Sequence, residues 1–119
     1  MAASLYDRYG GFGFVSKVVL EFYDRVGGSE VLAPYFENTD MRSLVDHQTK
    51  FIASLMGGPA AYTDDTIRRA HRHLNIDENA FQEMAFLLEE TLEDCGLMTE
   101  DIGAVMEEIR SRKPLIVKR

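Results

Sequence analysis

The sequence predicts an all-α fold, and three observations indicate it. Apolar residues recur at intervals of three and four along most of the chain, the spacing of one face of an α-helix. No stretch shows the period-two alternation that a half-buried strand requires. The breaks in the pattern are short and glycine-rich, at 10–11, 27–28 and 57–58, and are typical of turns between helices. We expect five to seven helices in a single domain that covers residues 1–119.

The first half of the chain predicts two helices separated by a turn. The apolar face of the first helix comprises Val15, Val18, Val19, Phe22 and Val26, with Tyr23 beside them. Pro34 favours a short or irregular helix in the turn that follows. Asp40 is a suitable N-cap for the second helix. The apolar stripe of that helix comprises Met41, Leu44, Val45, Gln48, Phe51, Ile52 and Leu55. His47 lies at the edge of this stripe, between Leu44 and Phe51.

The second half of the chain predicts three more helices. The first is short and carries Ile67, Ala70, His71 and Leu74 on its inward face. The second has Phe81, Met84, Ala85, Leu88, Leu92 and Cys95 on its inward face and Glu83, Glu89, Glu90 and Glu93 largely outside. Thr99 is the predicted cap of the last helix, which ends before Pro114. Its inward residues are Ile102, Val105, Met106 and Ile109.

Composition excludes several classes of function. The chain has 13 basic and 20 acidic residues, and a net charge of −7 disfavours binding to nucleic acid or to an anionic membrane. The single cysteine, Cys95, cannot form an intramolecular disulfide, and its place on an apolar stripe suggests packing only. Neither a signal peptide nor an apolar run of about 18 residues is present. We therefore expect a cytoplasmic protein, and a monomer, because no large apolar surface patch is evident.

Two histidines, His47 and His71, fall on or beside apolar stripes. A neutral imidazole is a common ligand of transition metals and of haem iron, and an unpartnered imidazole is costly to bury. A core histidine bonded to a backbone carbonyl explains His71 equally well at this point. Three arginines flank His71, namely Arg68, Arg69 and Arg72. They indicate either a solvated face or a contact with the carboxylates of an anionic cofactor.

A second polar cluster is predicted opposite His71. Tyr23, His47 and Gln48 lie on two different helices, and the tyrosine and glutamine side chains carry hydrogen-bond donors. Two donors aimed at one point suit a bound diatomic molecule that takes up negative charge. The alternative is a tyrosine that bonds a backbone carbonyl. Di-iron and zinc sites fit less well, because no histidine follows a glutamate by three residues and His71 and His73 lie on different sides of a helix.

The order of these residues closely resembles that of the group I truncated haemoglobins. The matching elements are Leu5-Tyr6, Gly10-Gly11, Phe22-Tyr23-Asp24-Arg25-Val26, Tyr35-Phe36, Asp40-Met41, Leu44, His47-Gln48, Gly57-Gly58, Tyr62 and Ala70-His71. The resemblance spans nearly the whole chain. It implies a two-over-two helical sandwich enclosing haem b, with His71 as the proximal iron ligand. It also implies that Phe36 packs against the porphyrin, that Tyr23 and Gln48 are the distal hydrogen-bonding pair, and that Leu44 offers apolar packing on the distal side.

The resemblance leaves the role of His47 open. Some members of the family carry a lysine or histidine there that binds the iron as a sixth ligand, and the alternative places His47 at the haem edge near a propionate or water. Other relatives attach haem covalently to a C-terminal histidine. The segment 113–119 contains no histidine, so this chain cannot form that bond in the same way.

The function that the resemblance implies is reversible binding of dioxygen, nitric oxide and carbon monoxide at the iron. Dioxygenation of nitric oxide to nitrate would also require an external reductase, since the chain has no flavin or nicotinamide domain. One alternative is a bis-histidine haem protein for electron transfer or redox sensing, with little role in gas binding. Another is a helical interaction module without cofactor, which the extent of the resemblance disfavours.

Overall fold

The computed structural model describes residues 4–58, 64–71 and 76–117, and the side chains of residues 64, 70 and 71 lie outside that description. The α-helices in this part of the chain are α1 (Leu5–Tyr9), α2 (Gly11–Gly27), α3 (Met41–Leu55), α4 (Asp64–His71), α5 (Glu78–Asp94), α6 (Thr99–Ser111) and α7 (Lys113–Ile116). A 3₁₀ turn, Ala33–Phe36, separates α2 from α3. The described residues contain no strand, so the all-α prediction is confirmed.

The core lies where α2 packs against α3 and α5, and where α5 packs against α6. Every residue predicted for the inward face of α2 is buried except Tyr23, which is half-buried. The inward residues of α6 are buried as predicted, and those of α5 are buried except for the half-buried Met84 and Cys95. Each large apolar side chain so buried contributes about 1.5–3 kcal/mol. None of the helices in the described ranges is long and apolar enough to cross a membrane.

The helix starts follow the capping predictions in one case and contradict them in another. Asp40 caps α3 as predicted, its carboxylate accepting hydrogen bonds from the backbone N–H groups of Arg42 (3.2 Å) and Ser43 (3.4 Å). The predicted cap at Thr99 is wrong, because Met98 occupies that position and Thr99 is already helical. The Met98 N–H donates to the Tyr9 hydroxyl at 3.0 Å, so the start of α6 is hydrogen-bonded to a side chain of α1.

Two other side chains, Glu83 and Met41, differ from the predicted helical pattern, whereas Pro114 follows it. The helical pattern predicts Glu83 on the outside of α5, but it is half-buried, and its carboxylate accepts a hydrogen bond from the hydroxyl of buried Ser29 at 2.9 Å. Met41 was predicted on the apolar stripe of α3 and is exposed at the first turn. Pro114 lies beyond α6, as predicted, and stands in the first turn of α7, where its missing N–H is tolerated.

Helix α1 is held by contacts at both of its ends. The Tyr6 N–H donates to the Met56 carbonyl at 2.9 Å, and the Tyr6 ring lies so close to Gly58 that a Cβ there would be 2.9 Å from a ring carbon. The Tyr9 hydroxyl donates to the Asp101 carboxylate at 2.6 Å. This bond, together with the Arg8 guanidinium, holds the pKa of Asp101 below its ordinary value.

Candidate functional site

A largely apolar cavity of 270 Å³ lies between α2, the 3₁₀ turn, α3, α5 and the C-terminal helices. Its volume is close to the lower limit of about 300 Å³ for small-molecule sites. The described residues that line it are Val19, Phe22, Tyr23, Val26, Leu32, Tyr35, Phe36, Leu44, His47, Gln48, Phe51, Ile52, Ile76, Ala80, Phe81, Met84, Leu88, Ile109, Arg112 and Ile116. A few polar side chains therefore interrupt a wall of aliphatic and aromatic groups.

Tyr23 contributes a phenol from α2 to this wall. Its ring contacts Phe36 edge-on, with ring centroids 5.8 Å apart, and Phe22 in the same manner at 4.9 Å. Burial raises the pKa of the phenol well above its ordinary value, so the hydroxyl keeps its proton. Its hydroxyl has no hydrogen-bond partner among the described residues, and none of their fully buried side-chain polar atoms lacks one. The described residues therefore leave this donor unpaired.

Helix α3 contributes Leu44, His47 and Gln48 to the same cavity. Leu44 and Gln48 are half-buried, one helical turn apart, whereas His47 is exposed and so belongs to the rim of the cavity. Within the described ranges, the Gln48 amide makes no hydrogen bond. Tyr23 and Gln48, which the sequence places on separate helices, thus share one cavity wall.

The remaining site residues stand as follows. Phe36 is half-buried and lines the cavity from the 3₁₀ turn. The described part of His71 is its backbone, which forms the last residue of α4, and α4 packs against α7. Arg68 and Arg69 are exposed and do not line the cavity. Tyr62, Arg72, His73 and Leu74 lie outside the described residues.

One residue of the wall, Arg112, was not singled out from the sequence. It lies between α6 and α7, and its Nη1 donates to the backbone carbonyl and to the carboxylate of Glu108, both at 2.8 Å. The four-residue separation from Glu108 is the only sequence signal at this position, and that spacing is equally common on solvated helix faces. Its place in the cavity wall depends on how α7 packs.

Comparison with known proteins supports the family resemblance that the sequence indicates. A family model described as bacterial-like globin matches residues 4–116. A group 1 truncated hemoglobin of Mycolicibacterium paratuberculosis is 33% identical over 114 residues, covering 96% of this chain and 84% of the relative. A group 1 truncated hemoglobin of a Nostoc species is 29% identical over 117 residues, covering 98% of this chain and 99% of the relative.

Solved structures give the same result for the fold. The 2/2 hemoglobin from a Synechococcus species, in the cyanomet state with covalently attached heme, matches with a TM-score of 0.90 and 28% identity, covering 98% of this chain and all of that one. THB1 of Chlamydomonas reinhardtii matches with a TM-score of 0.81 and 34% identity, covering 98% of both chains. The predicted two-over-two sandwich is confirmed. The chain belongs to the bacterial-like globins, as one of the group 1 truncated haemoglobins, a family that binds haem and, through it, gaseous ligands such as oxygen.

Proposed function

We propose that this protein binds dioxygen reversibly at the iron of haem b, with His71 as the proximal ligand and Tyr23 and Gln48 as hydrogen-bond donors to the bound gas. The observation that carries the proposal is the Tyr23 phenol, which lacks a partner among the described residues and lines an otherwise largely apolar cavity. Gln48 in the same wall supports it.

The residues of the cavity fit haem. A porphyrin presents two large apolar faces, and the lining is dominated by aliphatic and aromatic side chains. Phe36 and Leu44 are half-buried members of that lining and would pack against the macrocycle. Buried polar groups almost always have hydrogen-bond partners. The two donors at Tyr23 and Gln48 are thus suited to a polar ligand, which the described residues do not supply.

Each of these side chains has a distinct task. The Tyr23 phenol keeps its proton because burial raises its pKa, so it acts as a donor over the physiological pH range. Contacts with Phe22 and Phe36 restrict the orientation of its ring. The apolar lining lowers the local dielectric, which strengthens a hydrogen bond formed inside the cavity. Gln48 adds a second donor from α3.

Bound haem supplies an iron atom that binds diatomic gases reversibly. The proposal extends to nitric oxide and carbon monoxide, which are small enough to enter the same cavity. Conversion of nitric oxide to nitrate would need electrons from a separate reductase. We also propose a cytoplasmic monomer, since a lone cysteine and a net charge of −7 suit a reducing compartment and a protein that stays dispersed.

The test is a comparison of two histidine variants. His71→Gly should lose the absorption spectrum of a histidine-ligated haem, and added imidazole should restore it. His73→Ala is the control and should retain that spectrum, because the proposal assigns the iron to His71 and not to His73. The wild type should show reversible spectral changes with dioxygen after reduction. Normal haem ligation in His71→Gly without imidazole would refute the proposed ligand.

A specific observation favours a second candidate, reversible ligation of the iron by His47. His47 lines the cavity from α3, one residue before Gln48. A second imidazole would compete with gas, and the apparent affinity for gas would fall in proportion to the fraction of molecules that have it detached. The reduced, gas-free wild type would then be low-spin and His47→Ala high-spin. A high-spin spectrum in both would exclude this ligand and, with it, a bis-histidine electron-transfer role.

A further inference from the structure

A cation interrupts the apolar lining near the C-terminus. Arg112 lines the cavity together with Ile109 and Ile116, and its side chain is only 26% exposed. Charged groups are costly to withdraw from water unless they are paired. Among the lining residues that the structure describes, Arg112 is the one that carries a permanent positive charge.

Only part of the guanidinium group of Arg112 is paired. Nη1 donates to the Glu108 carbonyl and carboxylate at 2.8 Å each and lies 3.4 Å from the Ser111 hydroxyl. The N–H groups of Nε and Nη2 have no acceptor in the part of the chain that the structure describes. A guanidinium has five N–H donors in a planar fork that matches a carboxylate. Arg112 therefore retains the donors to bind a second carboxylate.

We propose that Arg112 binds a propionate carboxylate of the cofactor, an inference that rests on the proposed haem binding. The periphery of haem is apolar except for two carboxylates on one edge. The polar groups of the cavity lining are the side chains on α2 and α3, the Tyr35 phenol in the 3₁₀ turn and this cation on the C-terminal segment, and among them the cation is the one suited to pair with a carboxylate. The arginines that the sequence suggested for this role fit less well. Arg68 and Arg69 are exposed and do not line the cavity, and the Arg69 Nε lies 3.4 Å from an Asp65 carboxylate oxygen.

The test combines a side-chain change with a cofactor change. Arg112→Gln removes the charge while keeping a polar side chain, and haem dimethyl ester removes the carboxylates while keeping the porphyrin. The measurement is the rate of haem release from each holoprotein to an excess of apomyoglobin. Arg110→Gln is the matched control, because Arg110 is 57% exposed, pairs with Glu89 and does not line the cavity.

We expect Arg112→Gln to release native haem about tenfold faster than the wild type, the scale of one charge-assisted hydrogen bond. With the dimethyl ester, the two proteins should differ less than about twofold, and Arg110→Gln should match the wild type with both cofactors. Arg112→Lys keeps the charge, so it should lie between the wild type and Arg112→Gln with native haem. It also provides the comparison if the glutamine variant fails to fold.

The outcomes separate the two proposals. An equal acceleration with native haem and with the ester would mean that Arg112 acts by packing alone, which overturns the inference. Equal release rates for Arg112→Gln and the wild type with native haem would overturn it as well. Failure of the wild type to bind either cofactor would refute the proposed function itself, and the assignment of Arg112 with it.

Discussion

Replacing Tyr23 with phenylalanine removes one oxygen atom from the cavity wall and little else. The ring contacts with Phe22 and Phe36 are kept, and no hydrogen bond between described residues is lost. The free energy of unfolding at neutral pH should therefore change by less than about 0.5 kcal/mol, within the range of substitutions that break no contact.

The effect on dioxygen should be much larger. Bound dioxygen carries a partial negative charge, so the free energy of a hydrogen bond to it should lie between that of a bond to a neutral acceptor and that of a bond to a charged one, about 1–2 kcal/mol. The Tyr23 phenol does not exchange a protein partner for the gas, because none exists among the described residues, so most of this energy should be available to bound dioxygen. Dissociation of dioxygen should become about five to thirty times faster in Tyr23→Phe.

The assay is stopped-flow replacement of dioxygen by carbon monoxide in the reduced haem protein. Tyr35→Phe is the matched control, because Tyr35 is a second half-buried tyrosine of the same cavity wall. It should change the rate less than about twofold, since the proposal assigns the donor role to Tyr23 and Gln48 alone. An unchanged rate in Tyr23→Phe, or equal changes in both variants, would refute the assignment of Tyr23 as the donor.

Three further predictions concern stability. Burial raises the pKa of Tyr23 in the folded protein, so the neutral phenol contributes fully to the free energy of unfolding below about pH 10, and this contribution is lost as the pH rises further. Urea titrations above about pH 10 should therefore show a larger loss of stability in the wild type than in Tyr23→Phe. Gly58→Ala should cost about 1–3 kcal/mol in chemical unfolding, because its Cβ would meet a backbone carbonyl oxygen at 2.8 Å, whereas Gly103→Ala, with open space at mid-helix, should gain about 0.5–1 kcal/mol. Equal effects of the two alanines would contradict this reasoning. Tyr9→Phe should lower the thermal midpoint, because it removes the bonds to Asp101 and Met98, and the difference from the wild type should shrink as acid protonates Asp101. A difference that persists in acid would mean that the Asp101 carboxylate is not the partner that matters.

Much of the fold follows from local rules that the sequence displays directly. The buried face of α2 and the cap at Asp40 depend on periodicity and on one side chain reaching its own backbone, and both occur as predicted. The placement of Glu83 could not be read in this way. Helical periodicity places Glu83 on the polar face of α5. Its hydrogen-bond partner, the Ser29 hydroxyl, is distant in the sequence, so periodicity alone does not indicate the contact.

The candidate site shows the same limit. The spacing of Leu44 and Gln48 predicts that they share a helix face, and both line the cavity. The same spacing predicts His47 beside them, and it does line the cavity, but its side chain is exposed at the rim. Helical spacing does not predict how deeply a residue lies in a cavity. Arg112 could not be recognised as part of the wall, because its position depends on how the chain packs after α6.

The cavity and the core are built from the same side chains, which links ligand binding to folding. Val19, Phe22, Phe81, Leu88 and Ile109 are buried members of the core and also line the cavity. A group that fills the cavity packs against these residues and covers the apolar surface that half-buried lining residues such as Phe36 and Leu44 leave exposed, and this adds to the free energy of folding. Because such a group binds the native state far better than the unfolded chain, stability rises with its concentration. The short α4, which carries His71 at its end, has eight residues and is too short to be stable as an isolated helix. Ligation at His71 would therefore stabilise the element that holds the cofactor as well as the cofactor itself.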